Sequence, residues 1–383
     1  MTVPAEDAPA EDASAEDIAH MRAALALARR GTGRTWPNPS VGCVIVRDGR
    51  VVGRATTADA GRPHAEPQAL AMAGAAARGA TAYVTLEPCC FHGRTPPCTD
   101  ALIAAGVARV VVGVRDPDAR VNGAGLARLR SAGIAVVEGV LADEAEDVVA
   151  GFFTRVRHGR PLVTLKLAST LDGRIATGGG ESQWITGAAA RRAGHALRGR
   201  HDAIMVGVGT VLADNPDLTC RIPGFKPLPM VRVVADSHLR MPLTSRLVAT
   251  ATSAPTWVLA RASADSQRVA ALKSAGVVVL QVGCSSAGID LAGALRALAE
   301  RGITRLLAEG GAQLAAALLR ADLVDRLAWF HAPAVMGGDG WPAVQAFGVA
   351  ALAAMPRFRR IAVHPVGADL YSAYVRASEG ETS

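Results

Sequence analysis

Apolar residues recur along the chain in two alternating spacings. Short apolar runs typical of buried strands occur at VGCVIV, TAYVTL and ARVVVGV, and segments with helical spacing separate them. Ser14 and Asp17 are spaced as a capping box, which predicts a helix from there to about Arg30. Asp48-Gly49 between two apolar runs predicts a β-hairpin. Strands that alternate with helices predict an α/β layered sheet with mainly parallel pairing.

The alternation is interrupted once, near the middle of the chain. A charged helical stretch over 142–158 ends at RHGRP, and the strand LVTLKLA begins directly afterwards. We therefore place a domain boundary near 145–160. The second half again alternates, with predicted strands near 203–208, 231–235, 256–260, 303–308 and 327–333 and helices near 188–199, 289–300 and 312–320. No internal repeat relates the halves, so we expect two different folds.

Composition favours a reduced, cytoplasmic globular protein. Half of the 383 residues are hydrophobic and 20% are charged, which excludes global disorder. The longest apolar run is broken by Arg109, so no membrane span is expected. The acidic start lacks the basic residues and apolar core of a secretory signal. Six cysteines in a chain of this length do not form a disulfide framework.

The net charge of +7 conceals an asymmetry. Residues 1–17 hold six acidic and no basic residues, so the rest of the chain is more basic than the total suggests. We expect residues 1–13 to be a disordered tail. A basic body favours an anionic partner, either a phosphorylated small molecule or a nucleic acid. The absence of Lys/Arg blocks and an aromatic content of 4% argue against the nucleic acid.

The strongest chemical signal lies between residues 64 and 98. H-A-E at 64–66 opens a predicted helix, Cys89 follows E-P, and Cys98 follows P-P. One imidazole and two thiolates suit zinc, and three protein ligands leave a tetrahedral position for water. Zinc lowers the pKa of that water to about 7, and Glu66 at the helix start can carry its proton. H-x-E with P-C-x2-C is the pattern of zinc nucleobase deaminases, although here Cys98 follows Cys89 by nine residues rather than three.

Two alternatives remain for these residues. Cys90 is a possible ligand, although Cys89 is favoured by its place directly after Pro88. Buried free thiols and a histidine at a helix start would also account for each residue taken singly. The three motifs in order within 35 residues make the zinc site the better interpretation.

The first half contains T-x-P-N-P-x-V-G at 35–42, H-A-E, TLEPCCFHGRTPPC and DALIAAGVARVVVGVRDP. With these motifs the sequence resembles the RibD family of bifunctional riboflavin-biosynthesis enzymes, and the resemblance extends over residues 16 to 375. In the second half it is carried by LKLASTLDGRIA, GESQWIT, RRAGHALR, GVGTVLADNPDLTCR, VVADS and LLAEGG. It implies a cytidine-deaminase-like α/β/α domain over 14–150 and a dihydrofolate-reductase-like α/β domain over 160–378, and it suggests a homo-oligomer.

The resemblance also implies the chemistry of both halves. The first half would use Zn²⁺ to deaminate a diaminopyrimidinone that carries a phosphoribosylamino group, and the second would reduce the ribosyl side chain with NADPH. His64, Cys89 and Cys98 would hold zinc, Glu66 would carry the proton, and Asn38 would recognise the pyrimidine ring. A turn residue between two prolines is the competing interpretation of Asn38.

For the second half, the resemblance implies two sets of residues. The residues that would hold NADPH are Ala168, Trp184, Thr210, Asp214, Ser237 and Gly311. The residues that would hold the phosphoribosyl-pyrimidine are Ser182, Arg198, Asp217, Arg221 and Glu309. Glycines between the strand ending at Glu309 and the next helix let backbone N–H groups approach phosphate, although an ordinary turn would look the same.

Several roles in this half stay open at the sequence level. Core packing would equally account for Trp184. Lys166 and Asp172 match the family but would also suit a fold-holding contact. Either Glu309 or Lys166 is a possible general acid for the reduction.

Two positions depart from the family pattern. Thr56-Thr57 stands where the family usually has an aromatic residue and a histidine, and Pro67-Gln68 stands where it usually has Val-His. The missing histidine would contact substrate phosphate, with Arg54 or Arg62 as a replacement. These departures motivate a second hypothesis, a related enzyme redirected to another purine- or pyrimidine-derived metabolite. A nucleic-acid deaminase and an inactive scaffold are weaker alternatives.

Overall fold

The computed structural model describes residues 13–223, 230–285 and 288–377. The chain divides into two compact units, 1–158 and 159–383. The tail expected over 1–13 lies outside the described residues except for Ala13, and so does residue 378. Among the described residues, no helix is both long and apolar enough to cross a membrane.

Unit 1 contains a five-stranded sheet with helices. The helices are α1 (Ala15–Gly31), α2 (Ala65–Ala73), α3 (Cys98–Ala105), α4 (Ala124–Ser131) and α5 (Ala142–His158). The strands are β1 (Gly42–Arg47), β2 (Arg50–Thr56), β3 (Thr81–Leu86), β4 (Arg109–Val114) and β5 (Ala135–Val137). The strand order is β2-β1-β3-β4-β5. The pairings of β1 with β2 and β3 are antiparallel, and those of β4 with β3 and β5 are parallel, so this sheet is mixed rather than mainly parallel.

Local sequence determines how unit 1 begins. Ser14 and Asp17 form the predicted capping box at the start of α1. Asp48 and Gly49 both have positive φ, as the tight turn between β1 and β2 requires. At Gly53 a Cβ atom would lie 2.2 Å from the Ala69 carbonyl oxygen, so only glycine lets β2 approach α2 this closely. This close contact packs the middle of α2 against the middle of β2.

Unit 2 is built around a nine-stranded sheet. Its longer strands are β6 (Leu162–Ser169), β8 (Ala203–Gly207), β9 (Val231–Ala235), β10 (Thr256–Arg261), β11 (Val278–Val282), β14 (Arg305–Glu309), β15 (Arg326–His331), β17 (Phe358–Val366) and β18 (Asp369–Arg376). Two short pairs are β7 (Arg174–Ala176) with β16 (Trp341–Pro342) and β12 (Cys284–Ser285) with β13 (Gly288–Ile289). The helices are α6 (Ala188–Gly199), α7 (Val208–Asp214), α8 (Arg246–Ala249), α9 (Ser266–Ser274), α10 (Leu291–Glu300) and α11 (Ala312–Arg320).

The second sheet is mainly parallel, as the alternation of elements predicts. Its order is β11-β10-β9-β8-β14-β6-β15-β18-β17, and only β18 pairs antiparallel with its neighbours β15 and β17. The carboxyl ends of parallel strands lie along one edge of a sheet, where ligands bind in open α/β folds. Residues at the ends of β6, β8, β9 and β14 therefore share one edge.

Candidate active sites

Three metal-ligand side chains meet at the edge of the first sheet. His64 is the N-cap of α2, Cys89 follows β3, and Cys98 is the first residue of α3. His64 Nδ1 lies 3.3 Å from Cys98 Sγ and 3.7 Å from Cys89 Sγ. The three donor atoms all lie within 4.8 Å of one another. Residues up to 34 positions apart thus form one compact cluster, as the sequence motifs predict.

The donor spacing fits a tetrahedral zinc ion. With Zn–N and Zn–S bonds of about 2.0 and 2.3 Å, a tetrahedron places nitrogen and sulfur roughly 3.6 Å apart. The observed separations of 3.3 and 3.7 Å bracket that value. The thiol of Cys90 instead contacts the Arg120 carbonyl oxygen at 3.5 Å. The structure therefore favours Cys89 over Cys90 as the ligand.

The electrostatics of the cluster favour ionisation of one ligand, Cys89. The hydrogen bond between the two thiols lowers the pKa of Cys89 to about 4 and raises the pKa of Cys98. The hydrogen bond with Cys89 raises the pKa of His64. One thiolate is thus stabilised even without an ion, and zinc binding would release the remaining protons.

Glu66 lies in the first turn of α2, two residues after His64. Its side chain is 3% exposed, and burial raises the pKa of its carboxyl group. It lines the same cavity, of about 370 Å³, as His64 and Cys89. Glu66 is therefore a buried carboxyl group in the cavity wall, at the position where the sequence predicts a proton carrier.

The cavity combines polar, basic and apolar walls. Asn38 belongs to its lining while its side-chain nitrogen donates to the Gly61 carbonyl oxygen at 2.8 Å. Its backbone N–H also donates to the Thr35 carbonyl oxygen at 3.0 Å, as in a turn. Asn38 is therefore both a turn residue and part of the cavity wall. Arg62 and Arg94 supply positive charge to the wall.

Two carboxylates near this cavity were not singled out by the sequence. Glu87 accepts hydrogen bonds from the backbone of Asp116, Gly123, Gly125 and Leu126, which makes it a structural anchor for α4. Asp116 lines the cavity, and burial raises its pKa to about 7. Both follow strand ends, and only the fold brings them beside the metal cluster.

The second site centres on Glu309 at the end of β14. Arg198 donates to both oxygens of Glu309, from Nε at 2.8 Å and from Nη2 at 2.9 Å. Lys166 Nζ, on the neighbouring strand β6, lies 3.8 Å from Glu309 Oε2. These cations outweigh the effect of burial and hold the pKa of Glu309 at about 2, so it remains a carboxylate.

His195 is a residue of this site that the sequence did not reveal. It lies one turn before Arg198 on α6, and its Nδ1 contacts the Thr219 carbonyl oxygen and the Arg221 N–H at 3.1 and 3.3 Å. Arg198 Nη1 also donates to Thr219, at 3.0 Å. Together these contacts dock the segment before Arg221 against α6. A histidine within an amphipathic helix gives no sequence signal for such a long-range contact.

The predicted cofactor residues lie along the carboxyl edge of the sheet. Ala168 lies near the end of β6, Ser237 follows β9, and Gly311 is the N-cap of α11 directly after β14. Thr210 and Asp214 belong to α7, and a Cβ atom at Gly310 would lie 3.4 Å from the Thr210 hydroxyl. This arrangement places α7 beside the turn that begins α11.

Two open interpretations are resolved by the structure. Trp184 is 67% exposed and contacts Arg191 at 4.6 Å from its ring centre, so the core-packing interpretation is wrong. Asp172 accepts N–H bonds from Met336 and Gly337, so it holds a loop in place. Lys166 belongs to the Glu309 cluster instead.

The remaining predicted substrate residues are less tightly connected. Asp217 pairs with Arg221 at 3.5 Å and with Arg246 at 3.1 Å. Ser182 lies before Trp184 in an exposed segment. Among the contacts that the structure describes, no hydrogen bond links Ser182 to the Glu309 cluster.

Comparison with known proteins identifies both units. Residues 161–371 match the RibD C-terminal domain, and residues 14–114 match the cytidine and deoxycytidylate deaminase zinc-binding region. RibD from Escherichia coli K12 is 44% identical over 362 residues, covering 92% of this chain and 97% of that protein. RibD from Actinobacillus pleuropneumoniae is 46% identical over 83% of this chain and 84% of that protein.

Solved structures agree over nearly the whole length. Acinetobacter baumannii RibD matches with a TM-score of 0.85 and 37% identity, covering 95% of this chain and 99% of that one. A Thermotoga maritima diaminohydroxyphosphoribosylaminopyrimidine deaminase/5-amino-6-(5-phosphoribosylamino)uracil reductase matches with a TM-score of 0.82 and 34% identity, covering 94% and 99%. The chain therefore belongs to the RibD family, with a zinc-dependent deaminase half and an NADPH-dependent reductase half that serve riboflavin biosynthesis.

Proposed function

We propose that the two clusters are the active sites of successive reactions on one phosphorylated pyrimidine. The observation that carries this proposal is the compact His64, Cys89 and Cys98 cluster with the buried Glu66 beside it. The substrate of the first site would be 2,5-diamino-6-(5-phosphoribosylamino)pyrimidin-4-one. The product, 5-amino-6-(5-phosphoribosylamino)uracil, would then enter the second site.

In the first site, the protein's own residues position the ring and move a proton. His64, Cys89 and Cys98 would hold the zinc ion, which would supply the Lewis acidity that makes water a nucleophile near neutral pH. Glu66 takes a proton from the attacking water and delivers it to the departing nitrogen. A carbon–oxygen bond forms at the ring carbon, the carbon–nitrogen bond breaks, and ammonia leaves. Asn38 holds the ring edge through its side-chain amide.

We propose that the basic wall of the cavity binds the phosphate. Arg62 and Arg94 lie on the cavity wall, and Arg62 uses one nitrogen to hold Thr95 at 2.7 Å. A guanidinium carries five N–H donors, so Arg62 retains donors for a phosphate. Arg54 lies on β2 and is absent from the cavity lining, so Arg62 is the better replacement for the missing histidine.

In the second site, the residues hold the ribose against the cofactor. NADPH supplies the hydride when bound, and the residues that would hold it are Ala168, Trp184, Thr210, Asp214, Ser237 and Gly311. The first N–H groups of α11, after Gly311, have no partner within the helix and suit a cofactor phosphate. The exposed indole of Trp184 offers a flat apolar wall.

The Glu309 cluster would orient the ribosyl group. Arg198 donates three of its five N–H groups to Glu309 and to the Thr219 carbonyl oxygen, which leaves two for substrate. Arg221 is 61% exposed and would meet the phosphate with Asp217 and Ser182 beside the substrate. Because Glu309 stays ionised with a pKa of about 2, the ammonium of Lys166 is the proton donor of that pair.

We further propose that the enzyme works on small molecules in the cytoplasm. None of the six cysteines is in a disulfide, and the proposed ligands Cys89 and Cys98 must remain reduced to bind zinc. Aromatic residues make up only 4% of the chain, which argues against a nucleic-acid substrate.

A coupled assay tests this proposal. Zinc-loaded enzyme with the diaminopyrimidinone and NADPH should release ammonia and oxidise NADPH. Glu66→Gln should stop both, by at least about 100-fold, while zinc stays bound, because only the proton carrier is lost. The variant should still oxidise NADPH with the pre-deaminated uracil. Retained deamination in Glu66→Gln would show that Glu66 is not the proton carrier of the reaction.

A further inference from the structure

The two departures from the family pattern meet in the structure. Gln68, in α2, extends its side-chain nitrogen to the carbonyl oxygen of Thr56 at 2.9 Å. The same nitrogen lies 3.0 Å from the Pro63 carbonyl oxygen and 2.9 Å from that of His64. Positions twelve residues apart in the sequence thus form one hydrogen-bonded unit.

Three backbone segments converge on that amide group. Thr56 ends β2, Pro63 lies in the connecting turn, and His64 is the N-cap of α2 whose ring joins the metal cluster. An amide nitrogen carries two hydrogens, so it holds two of these carbonyls at a time and shares the third. One side chain therefore contacts the backbone carbonyl of His64 together with those of Thr56 and Pro63.

The threonines extend this connection to the first strand. Thr57 accepts a hydrogen bond from the Val41 N–H at 3.0 Å, and the Thr56 hydroxyl donates to the Val41 carbonyl oxygen at 3.1 Å. The Thr57 N–H donates to the same oxygen at 2.9 Å. Thr57 is 3% exposed, and it lines the same cavity as His64 and Glu66 while its hydroxyl oxygen accepts the Val41 N–H.

Pro67 is compatible with this role of its neighbour. It lies in the first turn of α2, where a backbone N–H has no partner within the helix. Proline therefore costs the helix no hydrogen bond there. The departure Pro67-Gln68 leaves α2 intact and adds a donor that reaches three carbonyls.

We propose that Gln68, with Thr56 and Thr57, forms a brace that positions His64 for metal binding. Gln68 is thus a positioning residue for the deaminase reaction, and this inference rests on the proposed role of His64 as a zinc ligand. Partners of metal ligands fix ligand orientation, and their loss typically costs about 10- to 100-fold in metal affinity or activity. Gln68 exerts this control through the main chain of the ligand rather than through its ring.

The test replaces the donor while keeping the length of the side chain. Gln68→Met removes both N–H groups, and Gln68→Asn keeps them but shortens the reach. Gln281→Met is the matched control, because Gln281 donates its side-chain amide to the Ala262 carbonyl oxygen at 2.9 Å in unit 2. Zinc release to a chromogenic chelator, the absorption spectrum of the cobalt-substituted protein, and deaminase kcat and KM would be measured.

We expect Gln68→Met to release zinc about tenfold faster and to change the cobalt spectrum. Its deaminase kcat should fall with little change in KM, and Gln68→Asn should show the same change in smaller measure. NADPH oxidation with the pre-deaminated uracil should match the wild type and report an intact chain. Unchanged zinc release, cobalt spectrum and kcat in both variants would overturn the inference. A wild-type protein that binds no zinc would instead refute the proposed metal site.

Discussion

At the residue scale, the hydrogen bonds of the Glu309 cluster in unit 2 determine the charge state of its carboxylate. Both carboxylate oxygens of Glu309 accept hydrogen bonds from Arg198, and Lys166 is the second cation beside this carboxylate. Glu309 is 12% exposed in its side chain, so its charge depends on these partners. A buried carboxylate that loses a partner keeps its desolvation penalty, which makes this pair sensitive to change.

Arg198→Ala should weaken binding of the pyrimidine substrate more than binding of NADPH. Loss of a charge-assisted pair leaves Glu309 with Lys166 alone, and we expect KM for the uracil substrate to rise at least about tenfold. The pKa of Glu309 should rise from about 2, so the acid limb of the reductase pH profile should move to higher pH. Steady-state kinetics with pre-deaminated substrate from pH 4 to 8 would measure both effects.

Arg192→Ala serves as the control for this change, because Arg192 is exposed on the same helix α6. Its kinetics should equal those of the wild type. An equal loss of affinity for NADPH and for the pyrimidine in Arg198→Ala would contradict the proposed role of Arg198.

The residues of the metal cluster were predictable because their chemistry is local. H-A-E and the two proline-preceded cysteines are rare in combination, and each lies at the start of a helix or the end of a strand. The choice between Cys89 and Cys90 needed the direction of the side chains. His195 could not be found, since it contacts Thr219, 24 residues away in sequence, and Asp116 could not be found because only the fold places it in the cavity wall.

At the element scale, most strands with strong apolar patterns were predictable and exposed elements were not. The sequence identifies α1, the β1–β2 hairpin and the parallel strands of unit 2 except β11, which was missed although its segment is apolar. The C-terminal hairpin of β17 and β18 was missed, because β17 is largely exposed along its length and lacks an alternating apolar pattern. The helices α7, α8 and α9 were also missed; α8 has only four residues.

His201 illustrates how a buried polar group joins two elements. Its Nδ1 contacts the Leu197 carbonyl oxygen of α6 at 2.7 Å, and its Nε2 contacts the Thr164 hydroxyl of β6 at 2.9 Å. The carbonyl only accepts, so Nδ1 donates to it. Burial lowers the pKa of His201 to about 3.

The stability of unit 2 should therefore depend on pH through His201. The unfolded state, with a histidine pKa near 6.5, binds more protons than the folded state between about pH 6.5 and 3. The free energy of unfolding must then fall as pH falls through that window. His201→Gln should lower stability at pH 7.5 by about 1–2 kcal/mol and show a smaller further loss at pH 5 than the wild type.

Urea unfolding at pH 7.5 and pH 5 would measure this difference. The exposed His238 offers the control, since His238→Gln should keep the wild-type pH dependence. An identical pH dependence in His201→Gln and the wild type would show that His201 contributes nothing to it.

At the scale of the whole molecule, the chain divides into two compact units at 158/159, and the residues of the Glu309 cluster were only partly predictable. The charged stretch before RHGRP marks the boundary because a helix ends and a strand begins there. The metal site is assembled from a short sequence interval, whereas the Glu309 cluster draws on residues from 166 to 309. Resemblance to the family supplied those residues, since periodicity alone cannot show which strand ends become neighbours.

Removal of zinc should separate the two activities. The three proposed ligands all lie in unit 1, and Lys166, Arg198 and Glu309 all lie in unit 2, each unit with its own hydrophobic core. After treatment with a chelator, NADPH oxidation should be lost with the diaminopyrimidinone and unchanged with the pre-deaminated uracil. Added Zn²⁺ should restore the first reaction, because the thiolates remain able to bind it. Parallel loss of both reactions, with circular dichroism unchanged, would show that the reductase half itself depends on the metal.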